Sequence, residues 1–216
     1  MNQEISHSGA WGLALIMIVV ISWAIYRYLA PKSWHEWAGA GVLQAFFIAL
    51  YAEMYGFPLT IYLLARFFGL DGDGLNANLW SSLVGLGETG MMISMLAGFF
   101  FIITGIGLFY KGWKQVHQAR KENKLVTGGL YALSRHPQYT GLFIAIFGEG
   151  IIHWPTLFSV GLFPIIIFVY YLLAKREEAM MLKQFGEAYQ KYADKTPMFF
   201  PRKAQLKLFI KEANSG

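Results

Sequence analysis

The chain has 216 residues, 56% of them hydrophobic and 14% charged, against about 25% charged in an ordinary soluble domain. It contains no cysteine, which excludes disulfides, thiolate metal sites and a cysteine nucleophile. The net charge of +5 would admit a nucleic-acid partner by magnitude, but the basic residues form no nucleic-acid pattern: they collect at the ends of long apolar runs.

The first ten residues lack the basic n-region of a secretory leader, and an apolar run follows directly, so it reads as a membrane span and not as a signal peptide. A helix needs about 20 apolar residues to cross the hydrocarbon core. Five spans are expected on that basis, at residues 11–29, 39–68, 83–109, 139–153 and 156–174. The second is interrupted by Gly56, Phe57 and Pro58 and should kink or divide there. Between the fourth and fifth lie only His153, Trp154 and Pro155, enough for a tight helical hairpin.

Arg and Lys orient these spans, because basic residues are retained on the cytoplasmic side. The first loop holds Arg27 and Lys32, the segment 111–135 holds six, and the tail from Lys175 holds nine. The loop around Asp71 and Asp73 has none, with Arg66 nearby. Seventeen of the eighteen fall on one side when the N-terminus is placed outside. The basic pI is therefore a sign of topology and of anionic membrane lipid, and no nucleic acid is expected as a partner. Two parts follow: 1–110, the first three spans, and 111–216, a cytoplasmic loop, two more spans and a cytoplasmic tail. In that tail, apolar residues at 181, 182, 185, 188, 189 and 192 recur at helical spacing and predict one amphipathic helix over 176–192, ended by Pro197 and Pro201.

Two segments are rich in chemistry. Leu125-Val126-Thr-Gly-Gly-Leu-Tyr131 runs into Arg135-His136-Pro137-Gln138-Tyr139, with Pro137 suited to the first turn of a helix. A helix start with free N–H groups beside Arg and His suits an anion such as an amino-acid carboxylate, although an interfacial basic anchor has the same composition. Arg176-Glu177-Glu178 stands where the fifth span leaves the membrane. Its carboxylates suit a cationic or hydroxyl-rich ligand and Arg176 suits a carboxylate, while a solvated helix start is the plainer reading.

Taken together, LVTGGLY, RHPQY followed by Gly141, REE, FGEAYQKY and then Pro197 with Pro201 resemble the isoprenylcysteine carboxyl methyltransferase and phospholipid methyltransferase family of integral membrane enzymes. The match runs over 124–201, about a third of the chain. The resemblance implies an S-adenosylmethionine-dependent methyltransferase acting on a lipophilic or lipid-linked acceptor, a carboxylate, an amine or a thiol. It implies that Leu125, Val126, Tyr131, His136, Tyr139 and Glu178 line the cofactor site, with Glu177 close to it. It further implies that Arg135, Arg176 and Glu177 serve catalysis by orienting the acceptor or taking its proton, and that Gln115 or Gln118 contributes. Two other classes compete: an NADPH-dependent membrane reductase related to sterol reductases, which are much longer, and a non-catalytic membrane protein with a degenerate site.

Other features read as structure. Gly85-Leu-Gly-Glu-Thr-Gly90 matches the dinucleotide pattern but follows no strand, so close helix packing is expected, as at Gly105 and Gly107. Of the acids within apolar runs, Glu88 or Glu149 is expected to pair with Arg66, and Glu53 is expected to flank a substrate passage. His7, His35, His117 and His153 have no ligand spacing, so no metal is expected. The expected fold is all-α: a polytopic membrane protein with about five transmembrane helices and a cytoplasmic helical tail.

Overall fold

The computed structural model describes residues 10–29, 34–55, 59–69, 78–203 and 205–206. Among these every regular element is helical. The helices are α1 (Trp11–Leu29), α2 (Trp34–Tyr55), α3 (Leu59–Phe68), α4 (Leu79–Val84), α5 (Glu88–Glu122), α6 (Leu130–Leu133), α7 (Pro137–Phe147), α8 (Leu157–Phe185) and α9 (Glu187–Lys195). Helix α7 continues into a π-helix, Gly148–His153. Four helices, α1, α2, α5 and α8, are long and apolar enough to cross a bilayer, and the protein is an integral membrane protein. The expected fourth span is the joined α7 and π-helix. The expected second span is two helices, α2 and α3, while Gly56, Phe57, Pro58, the loop with Asp71 and Asp73, Lys32 and His7 lie outside the described residues.

Two further expectations are corrected. The basic stretch after residue 110 is not a loop at its start, because α5 runs on through it to Glu122. Lys, Gln, Arg and Glu are good helix formers, so a polar sequence extends the helix beyond its apolar part. The tail is not one helix over 176–192. Helix α8 carries straight through Arg176-Glu177-Glu178 to Phe185, and Gly186 at φ 54, ψ −127 separates it from α9. That backbone conformation is open essentially to glycine alone.

The chain forms two compact units, each discontinuous in sequence: residues 1–100 with 146–169, and 101–145 with 170–216. In the first, Phe46, Leu50 and Ile166 are fully buried. Several of its buried polar groups are matched by side chains, although Gln44 Oε1 and Glu53 Oε1 have no hydrogen-bond partner among the described residues. The π-helix withholds carbonyls from the ordinary ladder, and they are taken up by side chains. Trp80 Nε1 donates to Ile151 O (2.9 Å), Ser94 Oγ to Ile152 O and Asn78 Nδ2 to His153 O (3.3 Å). Glu149, expected to meet Arg66, instead accepts from Tyr51 Oη (3.0 Å) and faces His153 Nδ1 at 3.2 Å. Glu53 is buried, and its Oε2 accepts the N–H of Thr60 at the start of α3 (3.1 Å). In a hydrocarbon setting such pairing is strongly favoured, since each unmatched polar group costs several kcal/mol.

In the second unit α5 and α7 touch backbone to backbone. A Cβ on Gly141 would fall within 3.0 Å of Phe109 N and Gly105 O, and one on Gly105 within 3.0 Å of Gly141 O and Ala145 N. The small-residue packing expected at Gly105 is thus present, whereas Gly107 meets nothing within 4 Å. Gly85 and Gly87 also face open space, and Gly85 serves as the left-handed cap of α4. Because the atoms opposite Gly141 are backbone, no rotamer change relieves a larger residue. Gly141→Ala is expected to cost about 1–3 kcal/mol, read as a lower unfolding temperature in detergent, whereas Gly107→Ala should be neutral.

Candidate functional site

The segment between α5 and α7 is built for one particular geometry. Asn123 takes φ 50 after α5, and Gly129, at φ 60 and ψ −130, starts the single turn of α6. That turn buries Tyr131, which is 5% exposed. Pro137 then opens α7, and His136 O accepts from the N–H groups of Tyr139 and Thr140 (3.0 Å each). Just before α7 the residues after α9 run alongside as an extended strap. Arg135 N donates to Pro197 O (2.9 Å), His136 N to Met198 O (3.0 Å) and Thr140 Oγ1 to Phe199 O (2.7 Å). Phe199 packs edge-on against Phe143, with centroids 5.2 Å apart.

Two basic residues in succession, Arg135 and His136, meet two successive carboxylates, Glu177 and Glu178. Arg135 Nε donates to Glu178 Oε1 (2.6 Å), and its Nη1 donates to Ala193 O (2.9 Å) and Thr196 O (2.5 Å) at the end of α9. His136 lies between both acids, with Nδ1 3.3 Å from Glu177 Oε2 and Nε2 3.4 Å from Glu178 Oε1. Nε2 makes no hydrogen bond in this position although the ring is 5% exposed. Tyr139 Oη donates to the other oxygen of Glu177 (2.6 Å), and its ring stacks on His136 at 6°. Burial of His136 opposes its charged form, but the two facing carboxylates, Glu177 and Glu178, outweigh this and raise its pKa. On α9, burial and the nearby Glu178 push the Tyr189 hydroxyl up to about 12, so it is a neutral group at physiological pH. Burial likewise raises Tyr192, whose hydroxyl donates to Tyr131 O (2.7 Å).

Beside this cluster lies a cavity of about 140 Å³. Leu125, Val126, Tyr131, Arg135, His136 and Glu177 line it, six residues singled out by their sequence motifs. Tyr139 and Glu178 do not line it and stand directly behind, bonded to Glu177 and Arg135. Arg176 is exposed and off the cavity, and Glu53 belongs to the other unit. Gln115 and Gln118 also stay off the lining, although Gln115 packs on Gly129. Sequence reasoning missed Gln138 on the wall, and also Met181, Phe185, Tyr189 and Tyr192. The last four were visible as the apolar stripe of the tail, but a stripe at helical spacing does not say whether lipid or a cavity covers it.

The Arg135 guanidinium has both buried charge and two backbone acceptors as partners, so Arg135→Ala leaves Glu178 and the end of α9 unmatched. Breaking a buried pair in this way costs about 3–5 kcal/mol, and the expected result is a destabilised protein whose Arg202 and Lys203 are cut faster by trypsin. The His136 pKa is raised on folding, so its stabilising contribution is complete below the ordinary histidine pKa of about 6.5. It is lost as pH rises through the elevated native value. The unfolding temperature of the wild type should therefore fall over that window relative to His136→Gln, measured across a pH series.

Comparison with known proteins adds partial matches. Residues 88–188 match the family model for phospholipid methyltransferase. The chain is 34% identical over 82 residues to a protein-S-isoprenylcysteine O-methyltransferase of Schizosaccharomyces pombe, covering 38% of this chain and 34% of that one. It is 34% identical over 94 residues to a nickel-cobalt-cadmium resistance protein of Alcaligenes xylosoxydans xylosoxydans, 44% of this chain and 42% of that one. To a cobalt-zinc-cadmium resistance protein of Cupriavidus metallidurans it is 35% identical over 83 residues, 38% of each. The matched stretch thus spans well under half the length of each relative.

Proposed function

Residues 88–188 match the phospholipid methyltransferase family model, and from that premise we propose that the protein is a membrane methyltransferase of this family. In this reading it uses S-adenosylmethionine to methylate a lipophilic or membrane-adjacent acceptor carrying a carboxylate, an amine or a thiol. The observation that carries the reading is the convergence of the LVTGGLY, RHPQY and REE segments on one cavity. A carboxylate, Glu177, stands on its wall, and the buried His136 Nε2, 3.4 Å from Glu178 Oε1, has no hydrogen bond.

The residues present suit the cofactor chemically. It is a cation with an amino-acid end and a nucleoside end, and the cavity offers an acid on one side and Leu125, Val126 and Val116 as apolar lining. Ligand clefts commonly measure about 300–1,000 Å³, so this cavity encloses only part of such a molecule. When bound, S-adenosylmethionine supplies an electrophilic methyl group on a sulfonium. Methyl transfer asks for close approach and exclusion of water more than for acid–base machinery. Tyr139 and His136 hold Glu177 by both oxygens, which presents a fixed negative charge to a cationic ligand. For an amine acceptor the same carboxylate is the candidate to take the proton. Arg135 is used by Glu178 and the end of α9, and its role in this reading is positioning. The distribution of Arg and Lys supports a cytoplasmic site, with the N-terminus outside.

The relatives named for metal resistance bear on physiological setting more than on this chemistry. Among the described residues no three potential ligands come together as a metal site. Calorimetry with S-adenosylhomocysteine tests the proposal. Micromolar binding by the wild type, weakened at least about tenfold in Glu177→Gln as for a charged hydrogen bond, is the expected result. A wild type that binds none of it in any detergent or lipid refutes the reading.

A further inference from the structure

The polar groups on the cavity wall are largely consumed within the protein. Arg135 serves Glu178, Ala193 O and Thr196 O; Gln184 donates to Asn123 Oδ1 (2.6 Å); Tyr192 donates to Tyr131 O (2.7 Å). Lys124 is exposed and paired with Glu122. Gln138 differs from all of these. Its side-chain oxygen accepts the Tyr131 hydroxyl (2.9 Å), while its amide nitrogen makes no hydrogen bond among the described residues. With Oε1 turned to Tyr131, the two N–H bonds are left for whatever occupies the cavity.

The donor is also held rigidly. Tyr131 is buried, and its hydroxyl lies 3.4 Å from Gly112 O as well. The backbone of Gln138 is packed onto Gly112, where a Cβ would meet Gln138 N at 3.0 Å. One turn on from Gly112, on the same face of α5, is Val116 of the cavity wall. Gln138 thus lies near the Val116 side of a cavity whose lining also includes the apolar Leu125 and Val126 and the acidic Glu177. A neutral amide donor matches a neutral acceptor such as a purine ring nitrogen or a ribose oxygen, and a flat apolar ring matches the apolar part of the lining.

Resting on the proposed methyltransferase reading, we infer that Gln138 is a cofactor-recognition residue that donates its free amide hydrogens to the nucleoside half of S-adenosylmethionine. Replacing the amide by an alkyl group removes one neutral hydrogen bond from the complex. Binding should weaken roughly 3- to 10-fold.

Calorimetry with two probes, S-adenosylhomocysteine and 5′-methylthioadenosine, which lacks the amino-acid end, tests this on the wild type and on Gln138→Leu. A similar weakening for both probes, with the Glu177→Gln variant losing affinity mainly for S-adenosylhomocysteine, is the expected pattern. Gln138→Glu keeps an oxygen for Tyr131 and removes the N–H donors, so it should weaken both probes too and serves if the leucine variant does not fold. Wild-type binding matched by both Gln138 variants overturns the inference and leaves the methyltransferase reading intact. Weakening confined to S-adenosylhomocysteine also overturns it, by moving the contact to the amino-acid end. Failure of the wild type to bind either probe removes the reading and the inference together.

Discussion

The pairing of Arg135 and His136 with Glu177 and Glu178 is the interaction on which the second unit depends. All four groups lie close to where a span ends, and Arg135, His136 and Glu178 are largely withdrawn from solvent. A charge in that position is costly unless it is matched by opposite charge and by hydrogen bonds. The match brings together α7, α8, α9 and the strap after α9, because Arg135 spends its remaining donors on Ala193 O and Thr196 O. The backbone follows the same path, through Arg135 N to Pro197 O and His136 N to Met198 O. The cluster therefore sets the cavity wall and also closes the tail over it.

The two carboxylates, adjacent in sequence, have different surroundings. Glu178 is held by a guanidinium and stands behind the wall, whereas Glu177 is held by a phenol and an imidazole and stands on it. Tyr139, a neutral donor, orients Glu177 through one oxygen, and His136 faces the other. Stacking of His136 on Tyr139 and the edge contact of Tyr139 with Tyr170 (5.1 Å) restrict both rings. This is how a site at a membrane edge keeps one carboxylate available while its neighbours stay neutralised.

The first unit answers the same constraint with side-chain hydrogen bonds. Its π-helix would leave carbonyls unmatched in a medium that offers no water, and Trp80, Ser94 and Asn78 supply the missing donors. Glu149 is satisfied by Tyr51 and His153, near neighbours in space. Arg66 seemed the natural partner by depth along the spans, but pairing depends on which helix faces turn toward each other, and depth does not report that.

Apolar run length was enough to establish a helical membrane protein, and α1 begins and ends where its hydropathy does. Pro137 marked the start of α7, and Leu125, Val126, Tyr131, Arg135, His136 and Glu177, which the family resemblance grouped, line one cavity. Helix ends in polar sequence were not legible: α5 runs through its lysines, and α8 passes Glu177 and Glu178 without a break, because helix propensity there does not register the membrane boundary. Tertiary structure alone decided which side of each residue matters. It turned Arg135 inward to the end of α9, left Arg176 exposed, assigned the tail's apolar stripe in part to the cavity, and brought out Gln138. Local sequence specifies a residue's chemistry and its place on a helix, but the partner that uses that chemistry is chosen by packing between segments distant in the chain.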